Sequence, residues 1–228
     1  MSVRILQIDT ATDTCSVSIS VDGVLLDCLE AQEPNLHASK LTVFIDELLK
    51  RNALAFTDLQ AVAVSKGPGS YTGLRIGVST AKGLCYALDL PLIAVNTLES
   101  MYKGYIEKHG FNENWIYVPM LDARRMEVYL NMYQNHQLIR TTEAVIVDAH
   151  TFDSYTSHKV VLFGSGAAKL MELFAHNPQI IVDESYSHSS AYMTASVYEK
   201  FTRKEFEDLI YFEPYYLKEF IATTPKAR

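Results

Sequence analysis

The run SKGPGSYTGLRIG, residues 65–77, holds the residue types that most invite chemistry. It sits between a short apolar run and a long helix-like run. A glycine-rich turn opening a helix offers an anion free backbone N–H groups and a partial positive charge. The spacing of Gly67, Gly69 and Gly73 is not that of a dinucleotide fingerprint, whose third glycine would fall at Thr72. Nor is it a phosphate loop, because Leu74 rather than lysine follows Gly73. Two readings stay open: an anion contact, or a turn that lets two elements pack closely. Asp9 ends the first apolar run, where a carboxylate can hold magnesium or cap a turn. Asp9, Thr10 and Arg75 are the candidates for contact with a cofactor. In LDARRMEVY, Asp122, Arg124 and Arg125 share a hairpin-like turn. Arg124 and Arg125 could hold an anion or a partner's carboxylate, or simply be solvated. The seven histidines never fall three or four residues apart, so no helix presents two of them to a metal. Neither H-E-x-x-H nor G-x-S-x-G occurs, and Ser65 and Ser165 have no placed base.

The elements that must position these residues follow from periodicity. VRILQID reads as a buried strand, and CSVSISV, alternating apolar and small polar residues, as a half-exposed one. Asp22–Gly23 is a hairpin signal leading into VLLDCLEA, so three antiparallel strands open the chain. In NLHASKLTVFIDELLKRNAL, Leu41, Phe44, Ile45, Leu48 and Leu49 mark one helical face, with Asn35 able to cap its start. LQAVAVS is a strand, and the glycine loop then opens a helix from about Gly73 to Leu88. PLIAVN is a strand and TLESMYKGYIEKHG a helix. The pattern restarts near Trp115 with the strands WIYVPMLD, MEVYLNMYQ and HQLIRTTEAVIVD. A short helix, the strand HKVVLFG, a helix opening at SGAAKLMELF and another near 191–202 complete it. This is an α/β chain of two lobes, joined near 104–114. On the loop's helix, Leu74, Val78, Ala81, Cys85 and Leu88 form a seam for the chain's own core. Glycines at 73, 77 and 83 each cost about 1 kcal/mol in a helix relative to alanine. They therefore imply close approach of another backbone, either from a second chain or from within the fold.

Bulk composition narrows the class. The chain has 228 residues, 48% hydrophobic and 21% charged, enough for an ordinary apolar core. A net charge of −7 with only scattered basic pairs argues against a main RNA-binding surface. Three cysteines without C-x-x-C spacing fit buried, reduced thiols. The N-terminal apolar run, broken by Gln7 and Asp9, does not read as a signal peptide, and the apolar segments are too short or too polar to span a membrane. A cytoplasmic location is expected.

Taken together, ILQIDTATDTCSVSI, AVSKGPGSYTGLRIGVSTAKGLCYALDLPLIAVNTLES and LDARRMEVYLNMY resemble the TsaB (YeaZ) family in order and spacing over the first 133 residues. YFEPYYLKEF is compatible with that family's C-terminus. The resemblance implies two actin-like lobes of the sugar kinase–Hsp70–actin, RNase H-like type, with mixed sheets. Residues 1–105 would form the N-terminal lobe and 106–228 the C-terminal α/β lobe, with the last helix an option for packing back on the first. It also implies a required, non-catalytic partner of TsaD in forming threonylcarbamoyladenosine beside the anticodon of ANN-decoding tRNAs. TsaE would join the complex, tRNA would be met only through it, and a homodimer would form without TsaD. No intrinsic cofactor is implied, and a nucleotide at the shared interface stays open. The catalytic relatives hold a metal with the two histidines of VNHLEGH. Here VNTLESM puts Thr97 and Met101 in those places, poor ligands for a hard or borderline metal. His37 matches a helix-start histidine that is not a ligand. The same resemblance assigns the partner interface to helices 36–51 and 73–88. Its residues are Leu36, Lys40, Val43 and Glu47 on the first, and Gly73, Leu74, Gly77, Thr80, Ala81, Leu84 and Ala87 on the second. The rivals are an actin-fold small-molecule phosphotransferase or ATPase and, behind it, a glycoprotease-like metallopeptidase.

Overall fold

The computed structural model describes residues 2–32, 36–155 and 157–217, with the side chain of Leu36 also outside the description. Asn35 and the basic residues after 217 therefore lie outside it. Two five-stranded mixed sheets are built the same way. In the first, β1 (Arg4–Asp9), β2 (Thr14–Val21) and β3 (Val24–Gln32) form an antiparallel meander, and β4 (Ala61–Gly67) and β5 (Leu92–Asn96) add in parallel, giving the order β3-β2-β1-β4-β5. In the second, β6 (Trp115–Asp122), β7 (Glu127–Gln134) and β8 (Gln137–Ile146) form the meander, and β9 (Lys159–Phe163) and β10 (Ile180–Asp183) add in parallel. The restart read from the sequence near Trp115 is thus a repeat of topology. β10 had no counterpart in the sequence reading, because four residues with half-buried side chains carry no usable period.

Helices α1 (Leu36–Arg51) and α2 (Tyr71–Leu88) lie side by side on one face of the first sheet. Leu41, Ile45 and Leu48 of α1 and Val78, Ala81 and Cys85 of α2 bury against Leu6, Ile8, Val17 and Ile19. Each such aliphatic side chain contributes about 1.5–3 kcal/mol by leaving water. The expected seam is present, except that Leu88 is only half-buried. Helix α2 starts at Tyr71, two residues earlier than its sequence suggests, because the Ser70 hydroxyl accepts the Gly73 N–H at 3.2 Å and caps it.

Helix α3 (Thr97–His109), capped by Asn96, leaves the first sheet and packs on the second. Its Leu98, Met101, Tyr102 and Tyr105 meet Tyr117, Tyr133, Val161 and Phe163. It runs through the expected lobe boundary at 105/106, so the polar connection is confined to 110–114. The stretch SGAAKLMELF forms a 3-10 turn and the single helical turn α4 (Met171–Phe174). The chain then returns to the first sheet. A 3-10 turn, Ser190–Met193, and α5 (Thr194–Thr202) cover its second face, where Met193 and Val197 pack on Ile5, Ala61, Ala63, Ile93 and Val95.

This return changes the reading of β2. Ser16, Ser18 and Ser20 are buried, not half-exposed. Gln7 and Asp9 of β1 share their face, and polar groups of the returning segment meet it. The Ser190 hydroxyl lies 2.9 Å from both Ser16 Oγ and Ser18 Oγ, and Gln7 Nε2 donates to Thr194 Oγ1 at 3.2 Å. Strand periodicity marks which residues share a face, but it cannot distinguish water from a buried polar partner.

Candidate functional site

The glycine loop, the β1–β2 turn and the second lobe enclose an interlobe cleft of about 660 Å³. One wall is Ala11–Asp13 and Pro68–Thr72; the other is Leu121–Arg124, Tyr129 and Ser165, with Tyr215 and Tyr216 at the rim. The glycines explain how the first wall is built. A Cβ on Gly69 would stand 2.4 Å from Ala11 O, one on Gly73 2.1 Å from Thr10 O, and one on Gly77 2.2 Å from Thr10 Oγ1. Real side chains do not reach such distances, so the loop and first turns of α2 must be bare to lie on the end of β1. Gly67, at φ +111°, is held in a region that favours glycine. The Thr10 hydroxyl then donates to Gly73 O at 2.7 Å. The backbone approached is the chain's own. Of the α2 glycines, Gly83 is the one exposed, with open space where its side chain would be.

The residues expected at the partner interface divide by exposure. Gly73, Leu74, Gly77 and Ala81 are buried inside the lobe. The exposed residues of the expected interface are Lys40, Val43 and Glu47 on α1 and Ala87 on α2, with Thr80 and Leu84 half-buried beside them. Thr10 is spent on Gly73. Arg75 is exposed, donating to the Tyr71 hydroxyl at 3.3 Å with its guanidinium carbon 5.6 Å from the centre of that ring.

Asp9 is 1% exposed and engaged on both oxygens. Oδ1 accepts the Ala11 N–H at 2.9 Å, and Oδ2 lies 2.8 Å from His188 Nε2. Burial alone would push this carboxyl up. The His188 imidazole, with hydrogen bonds from His188, Ala11 and Ser65, outweighs it and holds Asp9 below the usual carboxylate range. His188 is fixed in turn by the Tyr186 hydroxyl, 3.1 Å from Nδ1. Asp9 therefore ties the returning segment to β1, and it is not among the residues that line the cleft. Sequence reasoning missed His188, 179 residues away. The available signal was Gln7, Asp9, Ser16, Ser18 and Ser20 on one face, a polar set that demands partners if buried.

Thr97 is fully buried with its hydroxyl 2.7 Å from Ser65 Oγ, and Met101 is buried in the second lobe's aromatic cluster. Both positions are filled by packing. His37 Nε2 donates to Thr12 O at 2.8 Å, pinning the start of α1 to the β1–β2 turn.

Across the cleft, Arg124 and Arg125 occupy consecutive left-handed positions, φ 71° and 49°, in the β6–β7 turn. Asp122 Oδ1 accepts the Arg124 N–H at 3.0 Å and is itself paired with Lys169, while Ser165 Oγ accepts the Asp122 N–H at 3.2 Å. Both arginine side chains stay exposed, and only Arg124 lines the cleft.

Comparison with known proteins bears on this arrangement. The family model described as TsaD, tRNA N6-adenosine threonylcarbamoyltransferase, matches residues 32–224. The tRNA threonylcarbamoyladenosine biosynthesis protein TsaB of Escherichia coli (strain K12) is 38% identical over 135 residues, 59% of this chain and 57% of the relative. TsaB of Buchnera aphidicola subsp. Schizaphis graminum is 32% identical over 144 residues, 63% of this chain and 67% of that one. With the Haemophilus influenzae relative at 53%, the matched segments span a little over half the length of the first of these proteins. The solved structure of YeaZ from Pseudomonas aeruginosa superposes with a TM-score of 0.76 at 26% identity, covering 94% of this chain and 100% of that chain. The chain belongs to the family described by the TsaD model and, within it, to the TsaB (YeaZ) proteins.

Proposed function

We propose that this chain is a non-catalytic subunit in the formation of threonylcarbamoyladenosine on tRNA, acting by contact with a TsaD-type transferase. The tRNA modification follows from the names of the relatives. The observation that carries the non-catalytic part is the state of Asp9: the strand-end carboxylate is consumed by Ala11 and His188. Thr97 and Met101, standing where the transferases hold two histidines, are likewise packed away. What α1 and α2 leave exposed or half-buried is a surface of mixed charged and apolar side chains, Lys40, Val43, Glu47, Thr80, Leu84 and Ala87, suited to a second pair of helices. A standard interface would bury about 800 Å² on each partner. Without the transferase, the same face would serve a symmetric homodimer. TsaE and a nucleotide would join the assembled pair, and tRNA would be met within it.

The test is light scattering on a sizing column, with the chain alone and mixed with the TsaD of the same organism. The variant Val43→Asp with Ala87→Asp changes only exposed positions. A heterodimer that the variant loses supports the reading. A chain that ignores the transferase and hydrolyses ATP alone would replace it with the phosphotransferase alternative, which the open interlobe cleft favours.

A further inference from the structure

We infer that the groove formed by residues 207–216 takes an arginine side chain from the protein that seats on α1 and α2, its guanidinium held by Glu207 and Glu213 and lying against the ring of Tyr211. This rests on the subunit reading above and adds a specific anchor to it. The groove has a volume of about 610 Å³. Glu207, Asp208, Glu213, Tyr211 and Tyr215 line it, and Lys66 is the one cation among its lining residues.

The segment that builds it is held firmly. After α5 the chain crosses the first sheet at its β5 edge, where the Glu207 N–H donates to Leu92 O at 2.9 Å. Farther on, the Tyr215 N–H donates to Lys66 O at 2.7 Å. Between these ends the Lys82 ammonium of α2 donates to the Ile210 and Phe212 carbonyls at 3.2 and 2.9 Å. Asp208 Oδ1 accepts the Ile210 and Tyr211 N–H groups at 2.8 and 3.2 Å. Phe212 is buried in the first lobe's core, with Leu209 packed against it. Covering a sheet edge accounts for this backbone and for the two inward side chains. It does not account for Ile210 and Tyr211, which are 78% and 80% exposed. An aromatic side chain on a backbone already fixed costs little further ordering when a partner covers it.

Charge then selects the occupant. Among the described residues, Glu207, Glu213 and Lys66 take part in no ion pair. Lys82, the nearest α2 cation to the segment, is spent on carbonyl oxygens. Three carboxylates against one ammonium leave the groove negative, which repels a phosphate backbone and attracts a cation. Arginine suits it better than lysine. A planar guanidinium lies flat on a tyrosine ring while its edge donates two parallel hydrogen bonds to a carboxylate. The groove is also continuous with the helix face. Lys82 stands one turn from the exposed Ser79 and Tyr86, so a protein seated on α2 reaches the segment that Lys82 holds.

The test is titration calorimetry of the full chain with the TsaD of the same organism, at roughly 50 and 200 mM salt. Glu207→Gln with Glu213→Gln should weaken the complex about tenfold and reduce its salt dependence. Glu172→Gln with Glu184→Gln removes the same charge from exposed positions of the second lobe and should change neither. Tyr211→Phe should bind as the wild type does and Tyr211→Ala more weakly, because the ring face and not the hydroxyl makes the contact. Full affinity in the groove variant overturns the inference, and so does an equal loss in the second-lobe variant. The subunit reading fails separately, if the wild-type chain does not join the transferase. The groove is then decided by nuclear magnetic resonance of the chain alone, titrated with a blocked tripeptide carrying arginine between two glycines and with its neutral citrulline counterpart. Shifts at Tyr211 and Glu213 from the arginine peptide alone support the inference. Equal shifts from both peptides, or none from either, overturn it.

Discussion

Replacing His188 by alanine removes the imidazole that holds Asp9, and the cost can be worked from the site. Asp9 is 1% exposed and His188 6%, so water cannot replace the lost 2.8 Å contact. The carboxylate keeps the Ala11 N–H and the Ser65 hydroxyl but loses the His188 ring N–H. Losing a hydrogen bond to a buried charged group costs about 1.5–3 kcal/mol, against a total stability of about 5–15 kcal/mol for a domain. The lower end is expected here because two hydrogen bonds remain. His188→Gln, able to donate to Asp9, should recover part of the loss. The pH dependence has a definite sign. Asp9 lies below its usual value of 3.8 in the folded chain, so its contribution is present above that pH and is lost as pH falls through the folded value. The wild type should therefore gain stability over His188→Ala as pH rises through the folded value toward 3.8. Urea unfolding followed by circular dichroism measures both effects. A cost below about 1 kcal/mol for His188→Ala, with no difference in pH profile, would refute the claim that this pair docks the returning segment.

Gly73→Ala should destabilise the chain by several kcal/mol in urea, despite the roughly 1 kcal/mol that alanine gains in a helix, because its Cβ would meet the immovable Thr10 carbonyl. Gly77→Ala meets the Thr10 hydroxyl instead, so Thr10→Ala should restore much of its loss while leaving the Gly73 variant unrescued. Gly77→Leu, though on the helix assigned to the interface, should lower the thermal midpoint of the isolated chain. Burial pushes the thiols of Cys15 and Cys85 up to about 11. At pH 8, iodoacetamide should therefore label Cys28 first in the folded protein and all three cysteines in urea, as read by mass spectrometry.

Much of the molecule follows from local sequence. The hairpin at Asp22–Gly23, the helical stripe Leu41–Ile45–Leu48 and the seam Leu74–Val78–Ala81–Cys85 are periodic signals that act within a few residues. The restart of the pattern at Trp115 marked the second lobe, and the blocks around the glycine loop marked the family. Other features required the assembled structure, for a common reason: they are contacts between residues far apart in the chain. The glycines of the loop and of α2 are spaced for a close approach, but only the fold shows that Gly69 meets Ala11 and that Gly73 and Gly77 meet Thr10. Asp9 looked like a cleft ligand until His188 was placed against it. The serines of β2 looked solvated until the returning segment covered them. Residue type and spacing fix which groups can share a face or a turn. The free energy of a buried polar group depends on the partner it finds there, and for this chain that partner arrives from the far end of the sequence.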